Sequence, residues 1–373
     1  MIPSQPAILY IIAFVCALVI CLSSIPRIIY VSSRKRLFDV PDNQRKLHTR
    51  VVPNLGGLGI FFAYIITASF FVMPGSFNDW HFIAAACLLL FLLGIVDDLI
   101  SLSPSKKFLA QFIPSVIIVF FANIRLTSLH GLFGIHELPY WISIGFSIVG
   151  CVFVTNAFNL IDGVDGLAGS CGLLYCLFLG TCLASMGKVS EAVVAFSMAG
   201  AIVGFLRYNI APARIFMGDT GSLMIGFIVS VLAILFINSY DPATYSSTIL
   251  SNYITTPQAL LATGLAVLSV PVFDCFRVFV TRIATGGSPF RADRIHIHHY
   301  LQDAGLKATQ LDVCIVLLNA LIIGVTIAMQ NFDTTLIVAC QLALYLVTFV
   351  VLAYIRKTKI RAKAQLSHAV KGA

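Results

Sequence analysis

Eleven long apolar runs divide this chain, at residues 7–30, 57–73, 82–96, 108–122, 140–158, 167–186, 192–206, 222–238, 258–281, 311–330 and 334–355. A helix needs about 20 apolar residues to cross a bilayer, whereas a transmembrane barrel shows alternating runs of roughly ten. In lipid, a single segment satisfies its own backbone hydrogen bonds only as a helix. The runs therefore predict an all-α polytopic membrane protein with eleven transmembrane helices. Composition closes the alternatives: 59% of the 373 residues are apolar and 11% are charged. That is too little charge to clothe a soluble exterior, and too much apolar surface for a disordered chain. The first run reads as a retained helix, since no basic residue precedes it and no small-residue cleavage site follows. The ten cysteines all fall in apolar stretches with no C-x-x-C pair. They read as small buried hydrophobes.

The basic residues set the orientation. With the N-terminus outside, only Arg125 and Lys188 of the 24 Lys and Arg fall on the outer side. That asymmetry predicts an N-out, C-in arrangement. Residues 1–355 then form one transmembrane domain, and 356–373 form a basic cytoplasmic tail against anionic headgroups. The clustered acidic residues sort to the same inner side, so any chemistry is expected at the cytoplasmic membrane surface.

Five inner segments carry the polar groups. The first holds Arg45, Lys46 and His48, then Pro53 to Gly57; it reads as topology alone or as a site for anions, with Gly56 and Gly57 allowing close backbone approach. The second has Asp97 and Asp98 at a helix end, followed by Lys106 and Lys107. Adjacent carboxylates at a membrane boundary need a divalent cation, a basic partner or a proton. The third places Asn156, Asn159, Asp162 and Asp165 at every third residue. Such a row drifts about 60° per step on an unbroken helix, so Gly163 and Gly166 are expected to break it. These oxygen donors suit Mg²⁺ or Mn²⁺. The fourth runs from Asn209 to Leu223 with Asp219 between Gly218 and Gly221. There Asp219 is either a helix cap or a metal ligand. The fifth contains Arg291, Arg294, His296, His298 and His299. Without cysteine or glutamate the histidines make a poor zinc site alone; they are expected to bind or protonate anionic oxygens. Upstream, Asp274 and Arg277 read as a mutual charge pair near Pro271.

As a set, D-D at 97–98, N-x-x-N-L-x-D-G-x-D-G-L at 156–167, F-M-G-D-T-G-S-L at 216–223 and H-I-H-H at 296–299 resemble the polyprenyl-phosphate N-acetylhexosamine-1-phosphate transferases. The early R-K-x-H and P-x-x-G-G elements resemble them too, and the likeness covers about residues 5 to 355. The run S-P-F-x-x-D-R-x-H-I-H-H is similar to the branch that uses UDP-N-acetylglucosamine. The resemblance implies eleven membrane helices, undecaprenyl phosphate as acceptor and Mg²⁺ as cofactor, with Mn²⁺ as a substitute. It implies catalytic roles for Asp97, Asp98, Asp162, Asp165 and His298. Asp219 and Asn159 would hold the metal. Arg45, Lys46, His48, Lys106, Lys107, Asn209, Arg291, His296 and His299 would bind substrate.

The implied reaction is attack of a polyprenyl phosphate on the β-phosphate of UDP-GlcNAc, releasing UMP. A divalent cation and basic side chains would reduce the repulsion between phosphates. The expected setting is the bacterial cytoplasmic membrane, with no nucleic-acid partner and with a homodimer left open. The same reaction on UDP-GalNAc or UDP-MurNAc-pentapeptide is the nearer alternative. An ion-coupled transporter is the rival, against which stand carboxylates at one face and no inverted repeat. A zinc-dependent membrane hydrolase is a third reading.

Overall fold

The computed structural model describes residues 6–35, 52–73, 75, 77–241, 245–288 and 294–371. All eleven apolar runs are helical. They form α1 (Pro6–Lys35), α2 (Gly56–Phe71), α3 (Trp80–Ile100), the broken stretch α4 (Pro104–Ala110), α5 (Phe112–Val116) and a π-helical turn (Ile117–Phe121), then α6 (Tyr140–Ile161), α7 (Leu167–Ser185), α8 (Val189–Asn209), α9 (Gly218–Ile237), α10 (Pro257–Val267), α11 (Ser269–Ala284), α13 (Ala308–Ala328) and α14 (Thr334–Lys371). Between α11 and α13 lies a short helix, α12 (Ile297–Asp303). Among the described residues, nine helical stretches are long and apolar enough to cross a membrane, and α10 with α11 makes a tenth. The remaining run is α2, which has 16 residues. The chain is a multi-pass helical membrane protein.

Burial orders the bundle. In α9, 94% of the spanning window is buried, against 28% in α1 and 17% in α14. So α9 is the central post, and α1 and α14 present apolar side chains outward. Lipid offers no hydrophobic drive between helices, so small residues that allow close approach dominate such contacts. Gly226 of α9 lies where a Cβ would meet Thr155 and Phe158 of α6, and Gly200 of α8 packs on the backbone of Phe14 in α1.

The ninth apolar run is broken. α10 and α11 meet at 68°, beside Leu268. Pro271 has no N–H to give the carbonyl four residues back, at Val267, and its ring clashes with that turn. Asn319 of α13 repairs the break: its Nδ2 donates to the carbonyls of Ala266 and Val267, each at 3.1 Å. Its Oδ1 accepts from the Tyr175 hydroxyl at 3.1 Å. Freed carbonyls at membrane depth require such a partner.

Two features were absent from the hydropathy reading. A two-stranded hairpin, β1 (Ser128–Leu132) with β2 (Ile135–Glu137), sits at the end opposite the clustered carboxylates. And α14 continues as one helix through residue 356, the expected domain boundary, to Lys371.

Candidate active site

The P-x-x-G-G element docks onto the fourth inner segment. The N–H groups of Gly56 and Gly57, unpaired in the first turn of α2, donate to the carbonyls of Phe216 and Met217 at 2.9 and 2.8 Å, and Phe216 N–H donates back to Pro53 at 2.8 Å. A Cβ on Gly57 would lie 2.2 Å from the Gly221 nitrogen, and one on Gly94 of α3 would lie 2.3 Å from the Thr220 Cα. Backbone therefore touches backbone where α2, α3 and the start of α9 meet. Gly218 has φ +71° and abuts the Asn54 carbonyl and the Asp98 carboxylate. Only glycine fits that turn.

The adjacent aspartates then face different partners, because neighbours on a helix point about 100° apart. Asp98 turns to the N-terminus of α9. Its Oδ1 accepts from the Asp219 N–H at 2.8 Å; its Oδ2 accepts from the Thr220 N–H at 3.1 Å and the Thr220 hydroxyl at 2.6 Å. It caps α9 from another helix and complements the helix dipole. Asp97 turns to Lys107, whose Nζ lies 3.1 Å from its Oδ2. The same ammonium pairs with Asp219 Oδ2 and donates to Asn159 Oδ1 at 3.2 Å. Asn159 Nδ2 donates to Asp219 Oδ1 at 2.5 Å and to Ser222 Oγ at 2.7 Å.

The third segment breaks as its glycines predict. α6 ends at Ile161, Gly166 takes φ +84°, and α7 starts at Leu167. Asp165 Oδ2 accepts from the Ala213 N–H at 2.9 Å. Asn209 accepts from Gly166 N–H and donates to the Ile215 carbonyl, so it staples the third segment to the fourth. Asp162 stands at the end of α6. Desolvation raises its carboxyl to about 8, and the negative charges of Asp219 and Asp98 add to the effect.

The histidine segment forms α12 and faces this loop. Gly163 packs on the imidazole of His298. Burial lowers the His298 pKa to about 3, helped by neighbouring His299 and His296, so the ring is neutral. His299 is lowered by burial as well, and its Nδ1 meets Gln302. Asp274 orients a ring: its Oδ2 lies 2.7 Å from His296 Nδ1. Asp274 Oδ1 accepts from Arg277 at 2.7 Å and from the Tyr345 hydroxyl at 2.8 Å. The Asp274–Arg277 pair read from sequence is thus part of a larger buried knot. The signal for Tyr345 was lost in an apolar run. α12 is seated on α14, where Arg356 pairs with Asp303 at 2.8 Å.

Asp97, Asp98, Asn159, Asp162, Asp165, Asn209, Asp219, His296, His298 and His299 all line one cavity of about 940 Å³ at one end of the bundle. Asn54 and Phe216 also line it, from within the P-x-x-G-G and F-M-G-D motifs, as do Ser101 and Gln302, which went unmarked in the sequence. Lys106 is exposed, while Lys107 is held by the acidic cluster. Arg45, Lys46, His48 and Arg291 lie outside the described residues. Among the described residues, no three His, Cys, Asp or Glu side chains are arranged to hold a metal ion. The donors that do converge are oxygens of Asp97, Asp219 and the Asn159 amide, gathered on one cationic nitrogen. By chemistry that set fits a hard divalent cation.

Residues 80–237 match the model of the family described as glycosyl transferase family 4. A probable undecaprenyl-phosphate N-acetylglucosaminyl 1-phosphate transferase of Bacillus subtilis (strain 168) is 31% identical over 306 residues, covering 80% of this chain and 78% of that protein. An undecaprenyl-phosphate alpha-N-acetylglucosaminyl 1-phosphate transferase of Yersinia pestis is 31% identical over 336 residues, covering 85% and 83%. The Escherichia coli (strain K12) protein of that name is 28% identical over 338 residues, covering 87% and 84%. With motifs, helices and near full-length relatives in agreement, the chain belongs to glycosyl transferase family 4, the polyprenyl-phosphate sugar-phosphate transferases, in the undecaprenyl-phosphate N-acetylglucosaminyl 1-phosphate transferase branch.

Proposed function

We propose that this enzyme transfers GlcNAc-1-phosphate from UDP-GlcNAc to undecaprenyl phosphate, giving undecaprenyl-diphospho-GlcNAc and UMP, at the cytoplasmic face of a bacterial inner membrane. The step would open a cell-surface polysaccharide pathway. The observation that carries the reading is the convergence of Asp97, Asn159, Asp162 and Asp219, from three separate inner segments, on one cavity facing the histidine helix. A cavity of about 940 Å³ lies at the upper end of the usual ligand-pocket range, roughly 300–1,000 Å³. The inner placement rests on the charge asymmetry of the sequence.

The chain's own groups divide the work. The acceptor phosphate has a second pKa near about 6, so it reaches neutral pH largely as a dianion and needs no strong base. Orientation and charge compensation remain. Asp219 and Asn159, with Asp97 beside them, would hold Mg²⁺, which when bound supplies positive charge to the diphosphate. Asp98 fixes Asp219 through the first turn of α9. His298, neutral, offers a hydrogen bond to a phosphoryl or sugar oxygen, and Asp274 fixes the orientation of the His296 ring. The apolar outer faces of the helices supply the surface along which the polyprenyl chain lies.

The test is release of UMP from UDP-GlcNAc by purified protein. Release only when polyprenyl phosphate and Mg²⁺ are both present supports the reading. Release without acceptor would mean a hydrolase, and a preference for UDP-GalNAc or UDP-MurNAc-pentapeptide would move the donor assignment.

A further inference from the structure

The Lys107 ammonium occupies the point on which the acidic cluster converges. It lies 3.1 Å from Asp97 Oδ2 and 3.2 Å from Asn159 Oδ1, and it is ion-paired with Asp219 Oδ2. Its side chain is only 13% exposed, whereas the adjacent Lys106 is open to solvent. Two carboxylates and an amide oxygen around one cation make a cation site whose occupant is covalently attached. The position is reachable from a short helix: α4 has seven residues and follows Ser101, which sits at φ +51°.

We infer that Lys107 is a built-in counter-ion that a divalent cation displaces, so that the same three oxygens serve two occupants in turn. The inference rests on the Mg²⁺ reading above. Its ground is electrostatic: the same oxygens cannot serve an ammonium and a dication at once, because two cations about 3–4 Å apart repel strongly in a partly desolvated site. Without metal, Lys107 compensates buried Asp97 and half-buried Asp219, which would otherwise be like charges side by side at a membrane boundary. With metal, the ammonium must leave. Its flexible four-carbon stem carries it out of the cluster while the α4 backbone stays in place. Lys107 then becomes a free cation at the edge of the cavity that the phosphates enter. The lysine is in this sense a positioning residue with two stations, and it keeps the empty site folded.

Mn²⁺ shares the oxygen preference of Mg²⁺ and is visible by electron paramagnetic resonance. Titration of the purified full chain in detergent should give a site that is lost in Asp219→Asn. In Lys107→Gln the internal competitor is gone, so Mn²⁺ should bind about tenfold tighter or more, while Lys107→Arg should bind no tighter than wild type. Equal or weaker binding in Lys107→Gln overturns the exchange while leaving the metal site standing. A wild type with no Asp219-dependent Mn²⁺ site overturns the metal reading and the exchange together. Should Lys107→Gln fail to fold, the unaltered chain answers the question. Acylation of Lys107 by an amine-reactive ester, measured against Lys106 by mass spectrometry, should rise several-fold on adding Mn²⁺. An unchanged ratio would likewise overturn the exchange.

Discussion

Asp98→Asn separates two roles for one carboxylate. The substitution keeps the shape and removes the charge and one acceptor. In the native chain Asp98 receives three hydrogen bonds from the first turn of α9, two from N–H groups and one from the Thr220 hydroxyl. An asparagine has one carbonyl oxygen, so either the Asp219 N–H or the Thr220 pair loses its acceptor and meets an NH₂ group instead. A buried donor left unmatched is about 1–3 kcal/mol, and a helix cap about 0.5–2 kcal/mol. These are two estimates of one loss, and burial works against the Asp98 charge, so removing that charge offsets part of it. The expected destabilisation is about 1–2 kcal/mol, with Asp219 shifted from its place against Asn159. Thermal melting followed by a thiol-reactive fluorophore suits this protein, since Cys87, Cys171 and Cys176 are free and buried. Asp98→Asn should melt several degrees lower and lose Mn²⁺ affinity and turnover in parallel. If the variant melted at or above the wild-type temperature, kept Mn²⁺ affinity and still lost turnover a hundredfold, Asp98 would act on substrate and the cap argument would be refuted.

Three further outcomes follow from the same geometry. Asp219→Asn should lower turnover by orders of magnitude, because the charge stabilisation supplied by a metal is worth several kcal/mol; wild-type-like turnover at ordinary Mg²⁺ would remove the ligand assignment. Asp162 has a folded pKa of about 8, above its ordinary 3.8, so its favourable contribution is full below pH 3.8 and is lost as pH rises through about 8. Asp162→Asn should accordingly raise the melting temperature of metal-free protein at pH 7 while lowering activity; a fall in melting temperature would contradict the burial argument. His298 has the opposite sign: its folded pKa, about 3, lies below the ordinary 6.5, so stability is full above pH 6.5 and declines as pH falls toward 3. Melting temperatures from pH 7 to pH 4 should drop more steeply in wild type than in His298→Gln, and parallel curves would count against a buried neutral ring.

Hydropathy exposed the helices because each run is long enough to span a bilayer as helix, and the helix at every one of the eleven runs reflects that single constraint. The bend at Leu268 was foreshadowed by Pro271, but its repair by Asn319 was not, since that contact joins residues about fifty apart. In the site, residue type told more than pairing did. The acidic motifs announced a cluster, and the cluster is there. Which of two adjacent aspartates caps α9 and which meets Lys107 depends on helix phase at a boundary, and sequence fixes that only to within a residue or two. The contact of His296 with Asp274 was not legible for a related reason: Asp274 reads as already satisfied by Arg277 three residues away, yet its carboxylate meets both.

The glycine seam between α2, α3 and α9 has a consequence for how such a chain drifts under mutation. Outward faces of α1 or α14 ask only for something oily, so their alphabet is wide. Gly57 and Gly94 each face backbone within 2.3 Å of where a first side-chain carbon would stand, so their alphabet has a single letter. A methyl group at either position is too large whatever its chemistry, and no rotamer can turn it aside. The tolerances of the site are thus written in main-chain atoms, and neutral change will wash over the lipid-facing rim while leaving this seam untouched.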